Sequence, residues 1–261
     1  MKILFIGDVF AKPGRRLVAN VMPALQAALL PDLTIVNIEN AAHGSGITEK
    51  TIDFFSEQEI DVYTTGNHVM EKPGTDKLLS SELKLLRPAN LPASVPGRGW
   101  GVYRTAGGEP VAVINLQGNV FMPRLECPFR TMDRVLAEIG KKIRVRIVDF
   151  HAEATSEKRA LAYYLDGRVS AVIGTHTHVQ TADEEILPEG TAFITDAGMT
   201  GPHHSIIGVK KEIIIERFLS RMPIKFEPAT GGNILCGVFL EIDPESGKAI
   251  KIKRIREKSD K

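Results

Sequence analysis

The stretch Ile173-Gly174-Thr175-His176-Thr177-His178-Val179-Gln180-Thr181, preceded by the apolar run Val169-Ser170-Ala171-Val172, decides how this chain is read. The apolar run has the composition of a buried strand. Strand side chains alternate with period two, so the spacing predicts His176 and His178 on one face at the strand's end. Two imidazoles on one face suit a metal ion. A polar strand edge would also account for a lone His-Thr-His, and the other strand ends separate the two readings.

Working outward, apolar runs and helical periodicities alternate. Residues 2–7 read as a first buried strand, followed by a Gly/Pro-containing turn to Gly14. Residues 15–30 read as a helix that Pro23 bends or begins. A second strand (33–38), a helix capped by Thr48 (to 59), a third strand (61–65), a helix (72–80) and a short strand (83–86) follow. Residues 87–99, with three prolines, read as one long loop. Beyond it come a hairpin (103–116), a helix (130–139), a strand (143–150), a helix opened by Thr155, the strand quoted above, a short strand (193–195) and a helix (208–221). The last pair of runs, 234–242 and 249–255, is a hairpin whose outward lysines and arginines protect an edge. Alternation of this kind predicts an α/β architecture.

The strand ends carry the chemistry. They deliver Asp8, then Glu39 with Asn40, then Asn67 with His68, then His151, then His176 with His178. In open α/β sheets ligands gather outside the carboxyl ends of strands. Each residue alone has an ordinary explanation: asparagine bonds its own backbone in turns, and His68 could merely orient Asn67. Taken together, they exceed what one ion with an open coordination position needs, which points to two metal ions sharing a carboxylate. With Asp8 and Glu39 as the ionised donors, positive charge is left over for hydroxide and a phosphate oxygen. His43 and His203-His204 lie on loops of the kind that rim pockets.

Composition sets the limits. At 261 residues and 43% hydrophobic the chain suits one domain spanning 1–261. A net charge of +1 carries no strong nucleic-acid footprint, which favours a small-molecule substrate. Cys127 and Cys236 lack metal or redox spacing. The opening apolar run is too short for a signal peptide and no run reaches membrane-spanning length, so the expected location is cytoplasmic. A homo-oligomer is permitted but not specified.

In order and spacing, Gly7-Asp8, Asn37-Ile38-Glu39-Asn40, Gly66-Asn67-His68, His151 and Gly174-Thr175-His176-Thr177-His178 resemble the calcineurin-like metallophosphoesterases, most closely their YmdB-like bacterial branch. The likeness runs nearly end to end and includes Asp196-Ala197-Gly198-Met199-Thr200-Gly201-Pro202. Phe10 stands where the broad superfamily has histidine, and Glu39 where it has aspartate; both match the branch, with Asn40 filling the vacated coordination position. The resemblance implies an α/β/β/α sandwich of two mixed sheets flanked by helices. It implies one ion on Asp8, Glu39, Asn40 and His178, and another on Glu39, Asn67, His151 and His176. The imidazole and oxygen donors suit iron, manganese or zinc better than a magnesium or calcium cage; the resemblance favours iron and/or manganese, with zinc or magnesium as alternatives. It further implies a phosphodiesterase that hydrolyses a cyclic nucleotide of the 2′,3′-cAMP type by attack of a metal-bridging hydroxide, with His68 as general acid. The rival readings are a nuclease or phosphomonoesterase on the same metals, and a non-catalytic metal- or nucleotide-sensing protein.

Overall fold

The computed structural model describes residues 1–259. In its first half the elements are β1 (Lys2–Ile6), α1 (Ala11–Leu29), β2 (Leu33–Asn37), α2 (Glu49–Ser56), β3 (Val62–Thr64), α3 (Thr75–Ser81), β4 (Trp100–Arg104), β5 (Pro110–Gln117) and α4 (Pro128–Ile139). The second half continues with β6 (Val145–His151), α5 (Thr155–Tyr164), β7 (Ala171–Thr175), β8 (Glu185–Ile186), β9 (Ala192–Ile194), β10 (Gly201–Pro202), α6 (Lys211–Ser220), β11 (Asn233–Ile242) and β12 (Ala249–Ser259).

Two mixed sheets result. In the first, β1, β2 and β3 pair in parallel, and β11 joins β1 antiparallel. β10 and β12 also pair with β11, and β12 closes that side as an edge strand, as its basic outward positions predicted. The second sheet runs β4-β5-β6-β7-β9-β8, parallel from β5 to β9 with an antiparallel strand at each end.

Strand alternation builds the layers. Ile3 and Phe5 of β1 meet Val111 and Val113 of β5, Ile147 of β6 and Ile173 of β7 between the sheets. Leu4 and Ile6 point the other way, onto Val18 and Met22 of α1 and Phe55 of α2. On the far side, Ile114, Val148, Phe150 and Val172 pack under Met132 and Val135 of α4 and Leu161 of α5. Inner strands of this kind are buried on both faces, which is why they read as continuous apolar runs rather than alternating ones. The order of layers is helix, sheet, sheet, helix, as the resemblance implies.

The structure departs from the sequence reading in several elements. α1 starts at Ala11, so Pro13 and Gly14 lie in its first turn. A missing proline N–H is harmless there because first-turn donors have no helical acceptor. The helix also continues through Pro23, with Val18, Met22 and Leu25 on its buried face. Residues 83–86 form only isolated bridges, Tyr63 to Leu85 and Leu86 to Arg98, in place of a strand. β8 and β10, two residues each, are too short to leave a periodic signal.

Candidate metal centre

Parallel pairing brings the carboxyl ends of β1, β2, β6 and β7 to one edge, and the loops leaving that edge carry the candidate residues. Asp8 lies two residues past β1, Glu39-Asn40 just past β2, and Asn67-His68 just past β3; His151 is the last residue of β6. Gly66 permits the approach. A Cβ at that position would lie 2.1 Å from Glu39 Oε2 and 2.2 Å from His151 Cδ2.

His176 and His178 do not sit on the strand face as expected. β7 stops at Thr175, and both histidines adopt left-handed backbone, with φ of 101° and 66°. Period-two alternation therefore does not apply to them. The turn is held through its peptide groups: the His176 N–H donates to Asp8 Oδ2 at 3.2 Å, and the Thr177 N–H and hydroxyl donate to Asp196 Oδ2 at 3.1 and 2.8 Å. The result sends the two rings to different neighbours.

One group of donors is tight. Glu39, His151 and His176 each offer an atom within 4.8 Å of the others. His151 Nε2 lies 2.9 Å from Glu39 Oε1, 3.0 Å from His176 Nδ1 and 3.1 Å from Asn67 Oδ1. Beside it, the Asn40 side-chain amide lies 3.0 Å from His178 Nε2, and buried Asp8 feels the charges of His178, His151 and Glu39. His68 reaches in from the cavity side, Nδ1 2.9 Å from Glu39 Oε1 and Nε2 3.7 Å from Glu71. All eight sequence-selected residues thus share one neighbourhood.

Their hydrogen bonding is incomplete in a telling way. Asp8 Oδ1, Glu39 Oε1, Asn40 Oδ1 and His68 Nδ1 are buried without a hydrogen-bond partner. The close approaches of His68 and His151 to Glu39 Oε1 are at ion-pair distance but leave that oxygen outside hydrogen-bond geometry. Buried polar atoms are ordinarily satisfied, and ion binding is one standard reason when several converge unsatisfied. The imidazoles are prepared for the same role. Thr175 donates its hydroxyl to Asp149 at 2.7 Å, so its oxygen accepts from His151 Nδ1 at 2.9 Å, leaving His151 Nε2 for the cluster. His178 Nδ1 donates to the Ile207 carbonyl at 3.0 Å, leaving its Nε2 likewise. Histidine ligands are commonly oriented by such partners.

Electrostatics divides the cluster. Burial opposes the Glu39 charge, but the imidazoles of His151 and His68 outweigh it and hold the carboxyl well below the usual range. For Asp8, burial prevails and raises the pKa. Burial also opposes charge on His151, yet Glu39, Asp8 and Asp149 push it up to about 9. His176, desolvated and facing a charged His151, falls to about 3. His68 is raised because Glu39 outweighs its partial burial. The protein alone thus favours a charged His151 imidazole beside an ionised Glu39, positive charge that a bound cation would replace.

Several supporting residues escaped the sequence reading. Lys158 is fully buried and its Nζ lies 2.8 Å from Asp196 Oδ2, the same oxygen that pins Thr177. The signal was available: Lys158 falls on the α5 stripe with Leu161, Ala162 and Leu165, where a lysine is anomalous. Glu153, 3.1 Å from His176 Nε2, and the pair Asp149–Thr175 left no signature. Of the loop histidines, His43 lines the cavity over the cluster, whereas His203 and His204 line another with Arg256.

These features make a candidate metal pocket of hydrolase type at the strand ends of an α/β sandwich. Residues 4–255 match the YmdB-like protein family, and the chain belongs to it. It is 50% identical over 255 residues to a 2′,3′-cyclic-nucleotide 2′-phosphodiesterase of Bacillus subtilis, covering 98% of this chain and 96% of that protein. A crystal structure of a hypothetical protein from Thermus thermophilus superposes with a TM-score of 0.93 at 42% identity, covering 99% of both chains. A phosphatase structure from Mycoplasma pneumoniae gives the same TM-score at 37% identity, covering 99% of this chain and 93% of the other. Among the described residues no helix is long and apolar enough to cross a membrane.

Proposed function

We propose that the chain is a single-domain cytoplasmic phosphodiesterase that uses two metal ions, iron and/or manganese, to hydrolyse 2′,3′-cyclic nucleotides. The convergence of unsatisfied buried donors carries this reading: Asp8, Glu39 and Asn40 each direct a partnerless oxygen into a cluster whose histidines already have their other nitrogens committed. The similarity to a 2′,3′-cyclic-nucleotide 2′-phosphodiesterase supports the choice of substrate.

In this reading Asp8, Glu39, Asn40 and His178 hold one ion and Glu39, Asn67, His151 and His176 the other. Bound divalent ions supply a nucleophilic water at neutral pH and positive charge against the phosphate oxygens. The P–O2′ bond breaks and the sugar oxygen, a poor leaving group, must gain a proton as it departs. His68 is the donor. Its Nδ1 faces Glu39, whose carboxylate raises the imidazole's pKa, and the residue lines the cavity. Asp149 and Thr175 hold the His151 ring; Glu153 does the same for His176.

The test is a metal-by-substrate panel with protein reconstituted with iron, manganese, zinc or magnesium. Substrates are 2′,3′- and 3′,5′-cyclic nucleotides, oligonucleotides and a phosphomonoester, the last because one structural relative is described as a phosphatase. Turnover of the 2′,3′-cyclic substrates with iron or manganese is expected; silence on every diester with every ion refutes the reading. Replacing His68 by Ala is expected to slow diesters with alkoxide leaving groups about 10²–10⁴-fold, and nitrophenolate diesters far less. Equal losses on both would remove His68 from the acid role.

A further inference from the structure

The cavity over the cluster has a lining of two unlike kinds. Its volume is about 530 Å³, within the range of small-molecule sites. Its lining includes the polar Asn40, His68, His176 and His178 and the apolar Ile207, Val209, Phe226 and Pro228. Ile207 and Phe226 are 51% and 45% exposed. Exposed apolar side chains beside so polar a centre need an occupant.

The backbone carrying this wall is built, not loose. Val209 bridges to Pro228, the Lys210 N–H donates to the Glu227 carbonyl at 3.0 Å, and the Ala229 N–H donates to the Gly208 carbonyl at 2.8 Å. Two loop segments are thereby zipped into one platform. Arg217 of α6 backs the Phe226 ring, its guanidinium carbon 4.7 Å from the ring centroid. Ile207 has φ of 47°, an outlier for a β-branched residue and of the kind found where a side chain or carbonyl is presented for a purpose. Here the carbonyl accepts from His178, and the side chain stands in the cavity. The wall is therefore fixed to the same element that orients a metal-binding histidine.

We infer that Ile207, Phe226 and Pro228 form a nucleobase subsite, the surface against which the flat base of the substrate lies while its phosphate meets the polar donors. The occupant follows from the lining: a nucleoside cyclic phosphate is charged at one end and planar and weakly polar at the other, and this cavity offers both polar donors and an apolar wall. Bases stack on aromatic side chains with little regard to sequence, which makes the subsite tolerant of purine and pyrimidine alike. This inference rests on the phosphodiesterase reading above.

The experiment compares Phe226→Ala and Ile207→Gly with the parent holoenzyme. Glycine at 207 keeps the carbonyl for His178 and accepts the backbone angle, so it removes the wall alone. For 2′,3′-cyclic AMP both variants are expected to raise KM about tenfold, the range of a lost base stack, with kcat within twofold. For the base-free methyl riboside 2,3-cyclic phosphate KM should move less than twofold. Calorimetric Kd values for adenosine 3′-monophosphate and ribose 3-phosphate should divide in the same way. No change on either substrate, or equal change on both, overturns the subsite. Loss of self-association with unchanged KM assigns the wall to a second copy of the chain and overturns it too. A parent silent on every diester instead refutes the phosphodiesterase reading, while the Kd pair still decides the subsite.

Discussion

Replacing Lys158 by Met tests how the His-Thr-His turn is held. The lysine Nζ donates to Asp196 Oδ2 at 2.8 Å, and both side chains are fully buried. Asp196 also accepts from the Thr177 N–H, the Thr177 hydroxyl and the Gly198 N–H at 3.1, 2.8 and 2.9 Å. Breaking a buried pair by removing one partner costs about 3–5 kcal/mol, because the other charge is left uncompensated. The three remaining donors place this site at the low end. A loss of about 3 kcal/mol lowers Tm by about 6–10 °C in a chain of this size.

The effect should reach the metal site. His176 and His178 flank Thr177 in left-handed backbone, and such residues persist at about 1–3 kcal/mol each only where their surroundings over-determine them. An Asp196 carboxylate deprived of the Lys158 ammonium is held less firmly in place, and the pin on Thr177 loosens. Metal affinity is expected to fall about 10–100-fold, as when a partner of a ligand is lost. The assays are thermal unfolding of the metal-free protein and metal competition against a chelating dye. Lys158→Met combined with Asp196→Asn removes the stranded charge and should recover part of the Tm loss but not the affinity. A Tm within 2 °C of the parent, or about 6 °C lower with unchanged metal affinity, would refute the reasoning.

Two further outcomes are expected. Gly66→Ala drives a methyl group into Glu39 and His151, and should cut both metal content and kcat/KM at least about a hundredfold while leaving the circular-dichroism spectrum intact; near-parental activity would show that the loop can move aside. The metal-free protein should lose stability on the alkaline side. With His151 raised from 6.5 to about 9, its contribution is complete below pH 6.5 and disappears as pH climbs to about 9; His68 is shifted the same way. The buried His151 shift corresponds to about 3 kcal/mol. In the metal-loaded protein, where the proton is already displaced, this decline should be absent, and parallel pH–Tm curves with and without metal would contradict it.

The buried strands and the site neighbourhood were readable in the sequence for different reasons, while the layer order came from the family resemblance. Strands buried on both faces, such as residues 3–6 and 171–173, stand out as apolar runs, and within a few residues of each the chain reaches a metal-binding residue type, Asp8 and His176. The histidines were therefore visible as chemistry even though their backbone was misjudged. His176 and His178 have no local preference for left-handed geometry; it is imposed by Asp8, 168 residues away, and by Asp196, 19 residues beyond Thr177, through bonds to peptide groups that no spacing rule records. The two-residue strands and the run through Pro23 were hidden likewise, since tertiary packing overrides weak local signals. Lys158 is the instructive case between these. Its place on an apolar helix stripe marked it as buried, and a buried lysine demands a carboxylate, but only the fold names Asp196 as that carboxylate and Thr177 as what the pair restrains. The candidate donors of this centre are thus local sequence features, whereas the geometry that splits two neighbouring histidines between different partners is a property of the assembled core.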